Sequence, residues 1–556
     1  MPSELDRTYD AAIAAVTGPG GKIEVGPDAQ GRMVATHLPA TLPVFFDFFC
    51  MVNAQTEAVI AGDERLTFAD LNARATTLAK GLAGAGIAKG DRIAIAMRNC
   101  PAWIVTYMAV LKAGGVAVLI NGWWQPDELK HALTLTAPKL VIADAGRAQR
   151  VQASCVDCKI VTLPIEAPID EAIAPLLGAE GELPVVAPED DATILFTSGS
   201  TGLAKGAVST HRAVTTGVYT YASGLAALLG IKEARGDPPK HPPRTMIIVP
   251  LFHVTGELPV MLNSFVVARG MVLLPKWDAG EALRLIEKEK ITYFVGVPTM
   301  SLELMEHPDR EKYDLSSMTD IASGGAARPV AHVPRLEAAF RGAQPAQGYG
   351  LTETNAVGCS NFWSNYHDKP ASSGRVHAPF VEFAILGDGD THLPTGERGE
   401  IAIRSAANIR GYWNDDASTR AAFTADGYFK SGDIGYLDSD GYLFIVDRKK
   451  DIIIRGGENI SAQEVEAAIY NHPAVSEVAV FGVPDDRFGE QPAAVVYSEK
   501  GGVDAAELTA FLAGHLAQYK LPARIWFVEA PLPKLGTGKI DKVVLRAQYR
   551  AVAAAA

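Results

Sequence analysis

The chain has 556 residues, 48% of them hydrophobic and 21% charged, with a formal net charge of −13. That length exceeds one ordinary core and predicts about two to four folding units, and the acidity argues against a nucleic-acid partner. The opening MPSELDRTYD lacks the apolar stretch of a secretory signal. The longest apolar tract, 107–120, is broken by Lys112, Gly114 and Gly115, so stable membrane insertion is not expected and the expected location is cytoplasmic. Five cysteines do not make a disulfide framework, and Cys155 and Cys158 form a lone CxxC without a second ligand pair.

In chain order, Phe45, Phe46, Phe48 and Phe49 form an aromatic cluster that reads as core packing rather than a lipid contact. Apolar residues at helical spacing (Phe68, Leu71, Ala75, Leu78, Leu82) predict a helix over 68–85, followed by a strand over 92–97. The unit repeats as helix 103–112 and strand 116–120, then as a helix opened by Pro126 and strand 140–143, and much later as helix 281–290 and strand 293–297. Such alternation predicts an α/β fold: a large N-terminal domain of parallel sheets layered by helices, with ligands at the carboxyl ends of strands.

At one such end, in ILFTSGSTGLAKGAVSTHRA (194–213), a strand over 192–196 runs into Thr197, Ser198, Gly199, Ser200, Thr201, Gly202 and then Lys205. Small residues let the backbone aim N–H groups at an anion, hydroxyls add donors and the lysine adds charge, a combination suited to a nucleotide triphosphate. A Walker loop would need Gly-Lys followed by Ser or Thr. Here Ala204 precedes the lysine and Gly206 follows it, so a P-loop NTPase is disfavoured. The plainer reading, a solvated Ser/Gly linker, sits poorly between two apolar segments.

Four later segments carry chemistry. Gln347-Gly-Tyr-Gly-Leu-Thr-Glu-Thr354 offers Tyr349 to stack on a base, Thr352 for a phosphate and Glu353 for magnesium, although a capped helix start has the same composition. In Lys430-Ser-Gly-Asp-Ile434, Asp433 is either a ribose ligand or a turn aspartate. Asp447-Arg-Lys-Lys-Asp451 with Gly456-Gly-Glu-Asn459, and Pro533-Lys-Leu-Gly-Thr-Gly-Lys539, are lysine-rich turns of a kind that is usually solvated. Composition changes near residue 447. Beyond it, Ser461 and Glu464 predict a capping box before helix 462–470, with strands over 476–481, 493–497 and 524–528 and a helix over 505–516. The organisation expected is a core over 1–446, a hinge over 447–451 and a mobile small α+β domain over 452–556.

Together and in this order, the five segments resemble the adenylate-forming superfamily, in its acyl-CoA synthetase branch; 66–124 is similar to that family's N-terminal subdomains. The resemblance implies an enzyme that joins a carboxylic acid to coenzyme A using ATP and Mg²⁺, releasing AMP and diphosphate through an acyl-adenylate. It assigns the 197–205 loop to the β- and γ-phosphates, and Gly324, Gly325 and Ala326, with Gln347, Gly348 and Tyr349, to adenine. Asp433 and Arg448 would hold the ribose, and Glu353 with Ser200 the metal. Thr352, Glu353, Lys205 and Lys539 would be catalytic: Lys205 would steady the departing pyrophosphate, while Lys539 would touch the acid carboxylate and the α-phosphate. Lys450 would be the hinge, and Gly456 and Gly457 would line a pantetheine tunnel. His253, Thr255 and Gly350 would line the acid pocket. The segment 249–256 lacks the aspartate that amino-acid-activating relatives use, which disfavours an amino acid and fits a medium or long fatty acid, with an aryl acid as the alternative; His253 as a packed core residue is the plainer reading. A non-catalytic nucleotide-binding protein on the same fold is a further alternative. The implied partners are the small acid and coenzyme A, and a homodimer is left open.

Overall fold

Thr67 opens the helix Phe68–Gly84 with a reciprocal capping box: its hydroxyl accepts from the Asp70 amide at 3.1 Å, and the Asp70 carboxylate accepts from the Thr67 amide at 2.9 Å. The helix buries Phe68, Leu71, Ala75, Leu78 and Leu82, the stripe its spacing predicts. Pro101 and Pro126 each sit in the first turn of the next two helices, Pro101–Lys112 and Pro126–Thr136. The computed structural model describes residues 2–197, 204–324, 328, 330, 332–340, 342–448, 451–455, 458–485, 488–499, 502–513, 515–516, 518–535 and 539–555.

Among these residues a seven-stranded sheet has the parallel strands Asp191–Thr197, Val116–Leu119, Arg92–Ala96, Leu140–Asp144 and Ile160–Leu163 side by side. The expected parallel pattern ends at Thr197. The next strand, Lys205–Thr210, returns antiparallel beside Asp191–Thr197, with Lys205 opposite Thr197, and Gly411–Tyr412 closes that edge. A connection this short cannot make a crossover, so it must form a hairpin. The expected phosphate loop thus falls between two paired strands rather than between a strand and a helix.

A thirteen-stranded sheet carries the second half of the large domain. Its parallel strands Tyr293–Gly296, Asp320–Ser323 and Gln344–Gly350 give way to antiparallel ones, among them Gly358–Phe362, Phe429–Leu437 and Tyr442–Arg448. The largest core cluster spans both sheets. Phe45, Phe46 and Phe49 are buried in it, whereas Phe48 is 38% exposed. Among the described residues one helix, His211–Ala234, is long and apolar enough to cross a membrane, a match that the tract 107–120 does not give; most of it is buried in the protein.

The small domain is built on a five-stranded sheet that includes Glu477–Asp485, Gly489–Tyr497 and Arg524–Val528. Its helix Ala462–Tyr470 starts where Ser461 accepts from the Glu464 amide at 3.1 Å. The Glu464 carboxylate turns to Lys520 at 2.6 Å. Of the expected hinge, Asp447 and Arg448 form the end of a strand, and Lys449 and Lys450 lie outside the described residues.

His211 is buried, and its Nδ1 accepts from the Leu42 amide at 3.2 Å, so it must be unprotonated there. Burial pushes this imidazole down from 6.5 to about 4. Unfolded imidazoles bind protons below about pH 6.5, and the folded one resists until near 4. Stability therefore falls as the pH drops through that window. We expect the melting temperature to decline between these pH values, and a His211→Phe variant, compared with itself at neutral pH, to decline less steeply.

Candidate active site

Lys205, at the start of the returning hairpin strand, donates to Ser418 Oγ at 2.6 Å, approaches Asp415 at 4.0 Å and lies 5.1 Å from the centroid of the Tyr412 ring. The Tyr412 hydroxyl in turn donates to Glu353 Oε1 at 3.0 Å. One aromatic ring thus connects the lysine of the phosphate segment to the carboxylate expected at the metal. His131 on the helix Pro126–Thr136 meets the Ala204 carbonyl at 2.8 Å and steadies the other side of Lys205. Ser198, Gly199, Ser200, Thr201 and Gly202 lie outside the described residues; Thr197 is the last residue of its strand.

Glu353 sits in the short turn Thr352–Thr354, which also holds Thr352 at its first position. The turn is anchored rather than free. The Glu353 carbonyl accepts from Ile409, and Thr354 Oγ1 donates to the Val357 carbonyl at 2.6 Å. Asn355 follows in the left-handed region (φ 49°), a conformation asparagine tolerates, and its amide donates to Ser209 Oγ at 2.9 Å and to the Ala407 carbonyl at 2.7 Å. Ser209 lies on the same strand as Lys205, so this amide sets the distance between the two functional segments.

The segment that the sequence assigns to the nucleoside is built by parallel neighbours. Ser323 and Gln347 are in register, and Ser323 Oγ donates to Gln347 Oε1 at 2.5 Å. A Cβ added to Gly324 would meet nothing within 4 Å, and one on Gly348 only the Cys359 carbonyl at 4.0 Å, so both glycines border open space suited to a flat ring. The Tyr349 hydroxyl donates to Asp433 Oδ2 at 2.8 Å, and Asp433 is buried. Burial, with the Asp433 charge beside it, holds Tyr349 well above the ordinary phenol range, so the phenol stays a donor. Asp433 pairs in register with Arg448 on the neighbouring strand. Gly350 has a different reason to be glycine: a Cβ there would lie 2.0 Å from the Ala356 carbonyl. Gly325, Ala326, Lys450, Gly456 and Gly457 lie outside the described residues.

The segment that the sequence assigns to the acid begins at the turn after Val249-Pro250. Phe252 makes edge contacts with Trp123 (5.0 Å) and lies 5.5 Å from His253. Burial, reinforced by the charge of Lys539, lowers the His253 imidazole to about 4, so it is neutral near pH 7. The charge of Lys539, on the small domain, thus acts on an imidazole of the large one. Thr255 stands at the start of the helical stretch Gly256–Leu262. Tyr412, Asn355 and Ser418 were not singled out from sequence. The only signal for them is the Gly411-Tyr412 edge pairing, which no local pattern encodes.

Two family models match the chain: the AMP-binding enzyme over residues 46–413 and the AMP-binding enzyme C-terminal domain over 464–539. A long-chain-fatty-acid–CoA ligase of Bacillus subtilis (strain 168) is 36% identical over 514 residues, covering 86% of this chain and 89% of that protein. A feruloyl-CoA synthase of Amycolatopsis sp is 35% identical, covering 90% and 97%. Among solved structures, the O-succinylbenzoate coenzyme A synthetase of Bacillus subtilis in complex with ATP and magnesium ion superposes with a TM-score of 0.76 at 27% identity, covering 89% of this chain and 98% of that one. The chain belongs to the AMP-binding enzyme family, in the acyl-CoA synthetase branch of the adenylate-forming superfamily. It is an acid–CoA ligase that uses ATP, Mg²⁺ and coenzyme A.

The donor set suits these groups. Glu353 offers oxygen to a hard cation, which when bound would neutralise phosphate charge, and the open space at Gly324 and Gly348 accommodates a base. Because Tyr412 orients Glu353, Tyr412→Phe should raise the Mg²⁺ concentration needed for half-maximal activity by about ten-fold. A Mg²⁺ titration of initial rates on the folded variant checks this.

Proposed function

We propose that the enzyme activates a medium- or long-chain fatty acid, and that the residues above divide the two half-reactions between them. A carboxylate acylates poorly because its oxygen is a bad leaving group. Attack of that carboxylate on the α-phosphorus of ATP forms a mixed anhydride with AMP and expels pyrophosphate. Two anions must meet, so the protein's task is positioning and charge neutralisation rather than supplying a nucleophile. Lys205 steadies the pyrophosphate as it leaves, Thr352 and Glu353 serve the phosphates and metal, Asp433 fixes the ribose, and Lys539 pairs with the acid carboxylate and the α-phosphate. In the second step the thiolate of coenzyme A attacks the acyl carbonyl and AMP departs.

The single observation that carries this reading is Lys539 lying close enough to His253 for its charge to act on the imidazole. This supports a role for a small-domain lysine beside the acid segment. The apolar company of that segment, with Leu251, Phe252, Val254 and Leu258 buried, supports a hydrocarbon chain, as does the fatty-acid ligase among the relatives. The aromatic row Trp123, Phe252 and His253 favours a second reading, an aryl acid, with the feruloyl-CoA synthase as its counterpart.

Lys539→Ala should reduce acid-dependent exchange of labelled pyrophosphate into ATP by at least about a hundred-fold; undiminished exchange removes the lysine from this role. With Lys450 as the hinge, Lys450→Pro should spare exchange while slowing thioester formation, because proline fixes φ. Equal loss of both half-reactions would argue against a hinge. A screen of coenzyme-A-dependent AMP release over fatty acids of increasing length and aryl acids decides between the two substrate readings.

A further inference from the structure

The turn that carries His253 continues into Glu257, whose amide donates to the His253 carbonyl at 2.9 Å. The two side chains therefore stand one helical turn apart on one face. His253 is the one on which the Lys539 charge acts. Glu257, one turn on, is completely buried. Its Oε1 accepts from the Tyr107 hydroxyl at 2.6 Å, while its Oε2 is buried with no hydrogen-bond partner. Tyr107 is itself held by Trp103, stacked at 5.3 Å, and the Trp103 Nε1 is likewise unpaired and buried. On the adjacent side Leu258 fills the space over Gly217, where a Cβ would lie 2.7 Å from Leu258 Cδ1.

A carboxyl group in this position is costly for stability alone. An isosteric apolar side chain would pack without leaving an oxygen unsatisfied. Burial pushes the Glu257 acid up to about 7, with the Tyr107 hydrogen bond only partly opposing it, so much of it is a neutral carboxyl at pH 7. A neutral carboxyl can donate to a carbonyl or accept from a hydroxyl. Sites built to hydrogen-bond a substrate oxygen strongly reject the analogue that lacks it, because the protein group is then left unpaired.

Resting on the acid–CoA ligase reading, we propose that the acid carries a neutral oxygen function, hydroxyl or keto, on its non-reacting body, and that Glu257 Oε2 binds it while Tyr107 positions the carboxyl. The hydrocarbon or aryl frame then supplies apolar contact and the oxygen supplies selection.

The test compares kcat/KM for coenzyme-A-dependent AMP release between matched acids: decanoate against ω-hydroxydecanoate and an oxodecanoate, and cinnamate against p-hydroxycinnamate. The full chain should favour at least one oxygenated member by about ten-fold or more. Glu257→Leu should lower kcat/KM for that acid by at least about ten-fold, mainly through KM, and leave its unsubstituted partner unchanged or improved. Glu257→Gln, which keeps a polar group, should retain most of the preference, and Tyr107→Phe should weaken it. A wild-type enzyme that turns over the unsubstituted acids equally well overturns the proposal, as does an unchanged ratio in folded Glu257→Leu. If the leucine variant does not fold, an unchanged ratio in folded Tyr107→Phe overturns it instead. Absence of coenzyme-A-dependent AMP release with every acid would overturn the ligase reading itself, and this proposal with it.

Discussion

Much of the active-site geometry depends on one side-chain amide. Asn355 donates both to Ser209, on the strand that carries Lys205, and to the Ala407 carbonyl, just before the edge that supplies Tyr412. Those donors are buried, where an amide hydrogen bond is expensive to leave unmade. Asn355 also accepts a left-handed backbone that lets the chain turn immediately after Glu353. Lys205, on a strand of one sheet, and Glu353, in the turn Thr352–Thr354, are thereby held in one frame before any ligand arrives, so that in the roles proposed for them less ordering would remain at the moment of reaction.

The low-dielectric surroundings then assign protonation states. Tyr349 is kept a phenol by burial and by the Asp433 carboxylate it serves. His253 is kept neutral by burial, with the Lys539 charge acting in the same sense. Net acidity of −13 contrasts with the cationic groups gathered at the phosphate and acid ends, Lys205 and Lys539. A polyanionic substrate is therefore drawn to a local field and not to the molecule as a whole.

Much of the α/β alternation was legible in the sequence because its signals are local. Capping at Thr67, proline at Pro101 and Pro126, and the apolar stripe of Phe68–Gly84 all act within a few residues. The family motifs were legible because phosphate and ribose chemistry needs particular residue types close together in the chain. What escaped was long-range. Tyr412 reaches Glu353 across 59 positions and Asn355 reaches Ser209 across 146, so no window of sequence joins them. The antiparallel return at Lys205–Thr210 also broke the parallel expectation, since the length of a connection rather than residue type fixed its direction. Glu257 is one polar residue in an apolar run, with no motif around it; only its pairing with Tyr107 and its idle oxygen give it meaning.

The contact between Asp447 and the small domain has a mechanical side. Asp447 Oδ2 accepts the Ala462 amide at the first turn of the helix Ala462–Tyr470, and Ser461 donates to the Val446 carbonyl. These bonds clasp the helix to the last strand of the large domain from beyond residues 449 and 450. A carboxylate at a helix N-terminus also meets the positive end of the helix dipole. Any swing of the small domain about that point must first release this latch. Its strength would therefore set a toll on any such swing, and weakening or strengthening one aspartate would retune how readily the protein leaves the present arrangement.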